Sequence, residues 1–285
     1  MSASGRGPTR SSADFSAGRA GCCTTVRVLR GQPTRIDRHV ERLRRDADRL
    51  GLERPDRGAI GRLLIETASR HFPPTAEGIV RIEWSAATDA RSPRLRASAR
   101  ALVPAPDCWR VRSALTRHPG PEDRQNTKQI GIAAYESARA EAAVADVDEV
   151  LLFDAAGRVV EGSFTNLLIV AGDDELRTPA LSLGPVEGIG LAIVQESVPT
   201  LEAARLGRNE LASARELMAV NVVRGIAPIV ELDGRRVGSG RPGPWARRLG
   251  PLFEESSQRI LGEPSGPSGI GSDTANPGVP DDAWR

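Results

Sequence analysis

Between residues 149 and 170 the chain carries three apolar runs, EVLLF, VVEGS and NLLIV, with Asp154-Ala155-Ala156-Gly157 between the first two. Short runs rich in Val, Leu and Ile that flank a turn-forming segment read as a β-hairpin. The third run, 166–170, reads as a buried strand. This segment commits the chain to a sheet at its centre. Helices must accompany it. At 37–50, Val40, Leu43, Ala47 and Leu50 recur at helical spacing, charges occupy the other positions, and Gly51 marks the stop. A second helix is expected at about 56–71, one running on from Lys128 to about 144, one opening near Gly188, and a last one at about 244–261. Strands are expected at 24–29 (turned by Gly31-Gln32-Pro33), 79–84, 94–102, 111–115 and 216–220. A strand at 226–232 would end in an Asp233-Gly234 turn.

The result is an α+β reading with two lobes and a cleft between them. Pro104-Ala105-Pro106 is the expected linker, so the small lobe is placed at 21–105 and the larger one at 106–261. Residues 1–20 and the Gly/Pro/Ser-rich stretch 262–285 are expected to be disordered. There are 285 residues, 39% of them hydrophobic, enough for a sizeable core. A net charge of +2 gives no strong pull toward nucleic acid or membrane, and no apolar run reaches spanning length. Cys22, Cys23 and Cys108 form neither a CxxC pair nor a metal-binding spacing with histidine, so no metal is expected and a reducing cytoplasm suits the chain.

One residue stands apart. Of 39 basic side chains only Lys128 is a lysine; the others are all arginine. Arginine stays protonated, whereas a desolvated lysine can lose its proton and attack a carbonyl. The count alone is equally compatible with an arginine-rich background that left one lysine behind. The surroundings carry more. Lys128 lies in NTKQIG, read as a loop-to-helix junction that could hold a reactive amine rigidly; an exposed helix-start lysine is the plain alternative. Glu161 ends a strand in VVEGSFTN, either as a solvated carboxylate or as the partner of a protonated ring nitrogen. Arg42 sits in an arginine-rich helix, where most members are simply solvated and one would suffice for bidentate phosphate contact. Gly188-Ile189-Gly190 opens a helix whose free N–H groups favour an anion, a weak signal alone. Tyr135, the only tyrosine, follows Lys128 by seven residues and so would share its helical face; it could touch the hydroxyl of a cofactor ring, but a core role is the favoured reading. His39, His71 and His118 are scattered and suggest no triad.

Together these residues resemble the class IV aminotransferase family, the fold-type IV pyridoxal-phosphate enzymes, over about 24–237. That family includes branched-chain and D-amino-acid aminotransferases and aminodeoxychorismate lyase. TTVRVLRGQPTRIDRHVERL resembles the family's opening strand and H-x-x-R-L helix, which implies that Arg42 binds the cofactor phosphate. NTKQIG resembles the segment bearing the Schiff-base lysine, implying that role for Lys128. DEVLLFDAAGRVVEGSFTN resembles the hairpin ending in E-x-x-x-x-N, implying that Glu161 meets the pyridine nitrogen, with Asn166 completing the motif. TPALSLGPVEGIG resembles the TP…PGIT stretch, whose amides at Ile189 and Gly190 would take the phosphate. MAVNVVRGIAPIVELDG places Asn221 and Val222 at a second phosphate contact. The resemblance also implies a two-lobed D-amino-acid aminotransferase-like fold with pyridoxal 5'-phosphate between the lobes, a homodimer, and a small amino-acid-like substrate.

The chain departs from the pattern in places. SAGRAGCCTT lacks the Y/F-G-D-G loop that usually precedes the first strand. Gly190 stands where a threonine is expected, Val222 replaces a hydroxyl residue, and Gln129-Ile130-Gly131-Ile132 lacks the polar residue often found after the lysine. N-x-x-R-G-I-x-P-I resembles the closing segment of aminodeoxychorismate lyases, which makes 4-amino-4-deoxychorismate lyase the specific expectation. A branched-chain or D-amino-acid transaminase is the alternative. A degenerate, non-catalytic ligand-binding homologue is a third reading, against which the retained lysine speaks. Nucleic-acid binding by the arginine-rich helix is disfavoured, because Glu41, Asp46 and Asp48 interrupt it and no aromatics accompany it.

Overall fold

The computed structural model describes residues 21–86, 94–124, 126–172 and 174–253. The first lobe is built from β1 (Gly21–Leu29), β2 (Gln32–Pro33), α1 (Ile36–Arg49), α2 (Arg57–His71), β3 (Gly78–Ser85) and β4 (Arg94–Ala101). Its sheet runs β2-β1-β3-β4, antiparallel throughout. The tight turn from β1 lies at Arg30 and Gly31, both at positive φ, so Gln32 and Pro33 already belong to the return strand. In α1 the expected stripe is realised: Val40, Leu43 and Ala47 are buried, Asp37 occupies the first turn and Arg49 the last, as the helix dipole favours. The Asp56 carboxylate caps α2 by accepting from Ala59 N at 2.7 Å. Both helices cover one face of the sheet, packing on Val26, Val28, Val80 and Ile82. On the other face the register sets Cys23 opposite Glu83 and Thr25 opposite Arg81.

The second lobe contains β5 (Trp109–Arg117), α3 (Pro121–Arg124), α4 (Ala133–Val144), β6 (Glu149–Phe153), β7 (Val159–Gly162), β8 (Asn166–Val170) and β9 (Leu176–Pro179). It continues with α5 (Ile189–Ser197), β10 (Glu202–Ala204), α6 (Arg208–Ser213), β11 (Glu216–Asn221), β12 (Gly225–Leu232), β13 (Arg235–Arg236) and α7 (Pro244–Leu249). Its sheet runs β10-β9-β8-β11-β12-β5-β6-β7, with β13 on β12. Strands β5 and β6 are parallel, which requires a crossover, and α4 provides it. Every residue of β6, β7 and β8 is buried, as the continuous apolar runs imply. One face packs Leu168, Met218 and Val220 against α5 and α7, and the other gathers Trp109, Leu151, Leu167 and Leu217. Helix α4 seals its strand through Ala138 and Ala142 on Val150 and Leu152.

The paired strands at 78–85 and 94–101, the hairpin, and the helix capped by Gly188 all match the sequence reading. One expectation is corrected. Lys128 does not open a helix: α4 starts only at Ala133, after Gly131 at φ 68 and an extended Ile132 N-cap. Residues 127–132 instead cross to the small lobe, where Gln129 bridges to Cys22. The expected tails at 1–20 and 262–285, and the end of the last helix beyond 253, lie outside the described residues.

Candidate active site

Lys128 is stitched from both sides. Its backbone N–H donates to Asp46 Oδ2 at 2.9 Å, and its carbonyl accepts from Cys23 N at 2.9 Å. Ile130 N donates to Gly21 O at 3.1 Å. The chain just before it is fastened to the large lobe, where Asn126 Nδ2 donates to Leu181 O at 2.8 Å and Pro185 O at 3.0 Å. Asn126 has φ 58, a left-handed conformation that asparagine tolerates. A lysine on this strap cannot wander. Burial is the main cause bringing its ammonium down from 10.5 to about 8; Arg42 and Arg81 add to the lowering, while Cys23 and Glu161 oppose it.

Glu161, on β7, is 2% exposed and surrounded by donors. The Tyr135 hydroxyl donates to Oε1, and Val186 N donates to Oε2 at 3.0 Å. His118 Nε2 lies 3.4 Å from Oε1, and Asn166 Nδ2 lies 3.4 Å from Oε2. Asn166 also donates to Val186 O at 2.8 Å. The E-x-x-x-x-N spacing thus has a physical meaning: the two residues end β7 and begin β8, and both grip the segment leading into α5. The connection between them is pinned by Glu149, which accepts from Ser163 N and Oγ, Phe164 N and Thr165 Oγ1. Burial pushes the Glu149 carboxyl upward, opposed by those same donors.

Arg42, on α1, is 6% exposed. Its Nη2 donates to Thr24 Oγ1 at 2.6 Å, and that hydroxyl lies 2.7 Å from His39 Nδ1. Thr24 accepts from arginine, and His39 Nδ1 is the remaining partner of its hydroxyl, so the hydroxyl proton is assigned to Nδ1 and the ring proton to Nε2. Burial, with Arg42 and Arg35 nearby, holds His39 well below its ordinary range, so the ring is neutral. Two buried N–H donors then lack an acceptor: Arg42 Nε and His39 Nε2. The N-terminus of α5 lies across the lobe boundary, joined to α1 by Arg49 on Glu187 at 2.6 Å. Gly188 has no room for a side chain, since a Cβ there would sit 2.0 Å from Asn166 Oδ1. At Gly190 a Cβ would sit 2.7 Å from Asn221 C and 2.9 Å from Val222 N. The β11–β12 turn therefore leaves no room for a side chain at this position. Asn221 closes that turn by accepting from Val223 N at 3.0 Å and Arg224 N at 2.8 Å, and Val222 is buried against α5.

The structure thus brings Ile189, Gly190, Asn221 and Val222 into one packed corner and places Arg42 and Glu161 each within electrostatic reach of Lys128. Tyr135 does meet this site, but not by sharing a helical face with Lys128, which is off the helix. Sequence reasoning missed His118, Asp46 and Glu149. For Glu149 a signal existed, a charged residue leading an otherwise apolar strand. Among the described residues no group of His, Cys, Asp and Glu could hold a metal ion, and no helix is long and apolar enough to cross a membrane.

Residues 21–232 match the family model described as amino-transferase class IV. A probable branched-chain-amino-acid aminotransferase of Aquifex aeolicus is 32% identical over 117 residues, 39% of this chain and 37% of that protein. A branched-chain-amino-acid aminotransferase of Pseudomonas aeruginosa is 32% identical over 112 residues, 38% of this chain and 36% of that protein. The matched stretch thus spans little more than a third of either relative. A hypothetical aminotransferase from Mycobacterium tuberculosis, in its α-ketoglutarate- and PMP-bound form, shares the fold with a TM-score of 0.73 at 20% identity, covering 87% of this chain and 93% of that one. The chain belongs to the class IV amino-transferase family, whose cofactor is pyridoxal phosphate.

Proposed function

We propose that the chain is a pyridoxal-phosphate-dependent transaminase acting at the α-carbon of a small amino-acid-like substrate. The observation that carries this reading is Lys128, strapped between the lobes, with its amine brought down to about 8 and Glu161 and Arg42 both acting on it. The residues fit the cofactor. Arg42 Nε–H and His39 Nε2–H are buried donors without an acceptor, and α5 has no side-chain cap, so a phosphate suits this end. Ile189, Gly190, Asn221 and Val222 would hold it through backbone groups, which makes the missing hydroxyls less consequential. Glu161 suits a ring N–H at the other end. When bound, the cofactor supplies an electron sink for charge developing at the substrate α-carbon. Lys128 would be the residue that attaches it and, as a free amine, would be the group that moves the α-proton. An amine brought down to about 8 loses its proton more readily at neutral pH than an ordinary lysine does.

The names of the A. aeolicus and P. aeruginosa relatives favour transamination of a branched-chain amino acid. The lyase reading rests on Arg224 in the closing turn, whose guanidinium is pressed by burial and by Arg100 and Arg27. Such a cationic corner suits a substrate with a second carboxylate, as aminodeoxychorismate has. We also propose a homodimer and a cytoplasmic location, on the family resemblance and the reduced cysteines.

Purified protein with pyridoxal phosphate should show a visible band that borohydride bleaches and Lys128→Ala abolishes. A colourless protein indifferent to the cofactor would sink the proposal. Amino transfer from glutamate to branched 2-oxo acids, set against pyruvate release from aminodeoxychorismate, then separates the two activities.

A further inference from the structure

We propose that His118 and Tyr135 form a relay that holds Glu161 as acceptor for the ring N–H of pyridoxal phosphate and thereby keeps the proton on that ring nitrogen. This rests on the cofactor reading above. The direction of the relay follows from one backbone contact. Gly120 N–H donates to His118 Nδ1 at 3.0 Å, and an imidazole nitrogen that accepts carries no proton, so the neutral ring holds its proton on Nε2. Nε2 lies 2.9 Å from the Tyr135 oxygen. That hydroxyl donates its own proton to Glu161 Oε1, which leaves its oxygen to accept from His118. Donation therefore runs one way, from Gly120 through His118 and Tyr135 to Glu161.

The carboxylate is not saturated by this. A carboxylate offers about four acceptor positions. Tyr135 and Val186 N fill one on each oxygen. The other two contacts, from His118 Nε2 and Asn166 Nδ2, are both 3.4 Å long. Each of those donors has a shorter partner elsewhere: Tyr135 at 2.9 Å for His118 and Val186 O at 2.8 Å for Asn166. Glu161 thus keeps room for one more donor. The His118 side chain is fully buried and meets the Tyr135 ring edge-on at 6.0 Å between centroids. Apolar residues would fill this space without the desolvation cost of two polar groups, so packing alone does not account for the pair. Each hydrogen bond that stabilises a carboxylate's charge also makes it a weaker competitor for a shared proton. His118 and Tyr135 are positioning residues in this scheme, acting through Glu161.

The test uses pyridoxal phosphate labelled with 15N in the ring, taken up by wild-type protein and by the Tyr135→Phe, His118→Phe and His118→Gln variants. The ring-nitrogen resonance is recorded together with apo-protein melting and with kcat and KM. In wild type the resonance should be that of a protonated pyridine. In Tyr135→Phe and His118→Phe it should move toward the unprotonated value, with kcat down roughly tenfold and KM within about threefold. His118→Gln, whose amide can still donate to Tyr135, should stay near wild type. An unchanged resonance in both Phe variants, even with lowered melting, would overturn the relay and make the pair structural. Wild type that fails to take up the label would instead overturn the cofactor reading itself.

Discussion

The surroundings of Glu161 and of Arg42 are built on opposite plans. Around Glu161 the protein supplies the partners itself: a tyrosine, a histidine, an amide and a backbone N–H all aim at one carboxylate. Around Arg42 the protein leaves donors unmet, with Nε of the arginine and Nε2 of His39 both buried without an acceptor. A buried donor without a partner is costly, so the Arg42 end gains from any acceptor that reaches it, and an anion suits the arginine charge best. The Glu161 end is ordered by the fold itself, with one acceptor position kept for a further donor. One side is satisfied largely by the fold, and the other leaves donors unmet.

This contrast predicts different penalties for damage. The largest belongs to Glu161→Ala, which strands a ring of buried donors and should cost the apo protein about 3 kcal/mol in urea unfolding. Arg42→Met should leave apo stability unchanged or higher, yet raise the cofactor's Kd about 100-fold, close to 2.7 kcal/mol. Equal loss of apo stability in both variants would break the contrast. Gly190→Thr sharpens it: the family's usual hydroxyl should not rescue phosphate binding here. The added atoms meet the Asn221–Val222 backbone and should lower stability by about 2 kcal/mol.

Lys128→Met differs from these in that its effect on the apo protein should depend on pH. Folding moves this lysine from 10.5 down to about 8. Between those values the unfolded chain binds more protons than the folded one, so wild-type stability rises with pH across that window. Below pH 8 the penalty for burying the charge is fully present. At about 1.4 kcal/mol per pKa unit, the Met variant should therefore melt about 7–14 °C higher at pH 7, with the advantage fading by pH 10.5. A gain that is flat with pH would point to simple packing instead.

The pattern of what the sequence revealed follows from range. Periodic or turn-bounded segments were legible: α1 at Ile36–Arg49 lies within a residue of its expected bounds, and the hairpin with its following strand is where the apolar runs put it. These depend on neighbours a few residues away. The Lys128 segment was misread because its conformation is set at a distance, by Asp46, Cys23 and Gly21 on another lobe. Gly131, at positive φ, was the local hint that no helix begins at 128. His118 was invisible for the same reason: it meets Tyr135 across 17 residues and Glu161 across more, and no spacing rule announces such a pair. The family resemblance named Glu161 but not the groups behind it.

The strap that carries Lys128 has a consequence for how the whole molecule comes apart. It leaves the large lobe at Asn126, crosses to β1 and α1, and returns at α4. Neither sheet can lose its fold without tearing this seam, and the seam cannot open without releasing the lysine. The lobes should therefore melt as one cooperative unit, and slow hydrogen exchange at the Lys128 and Cys23 amides should report the global free energy of unfolding rather than a local fluctuation.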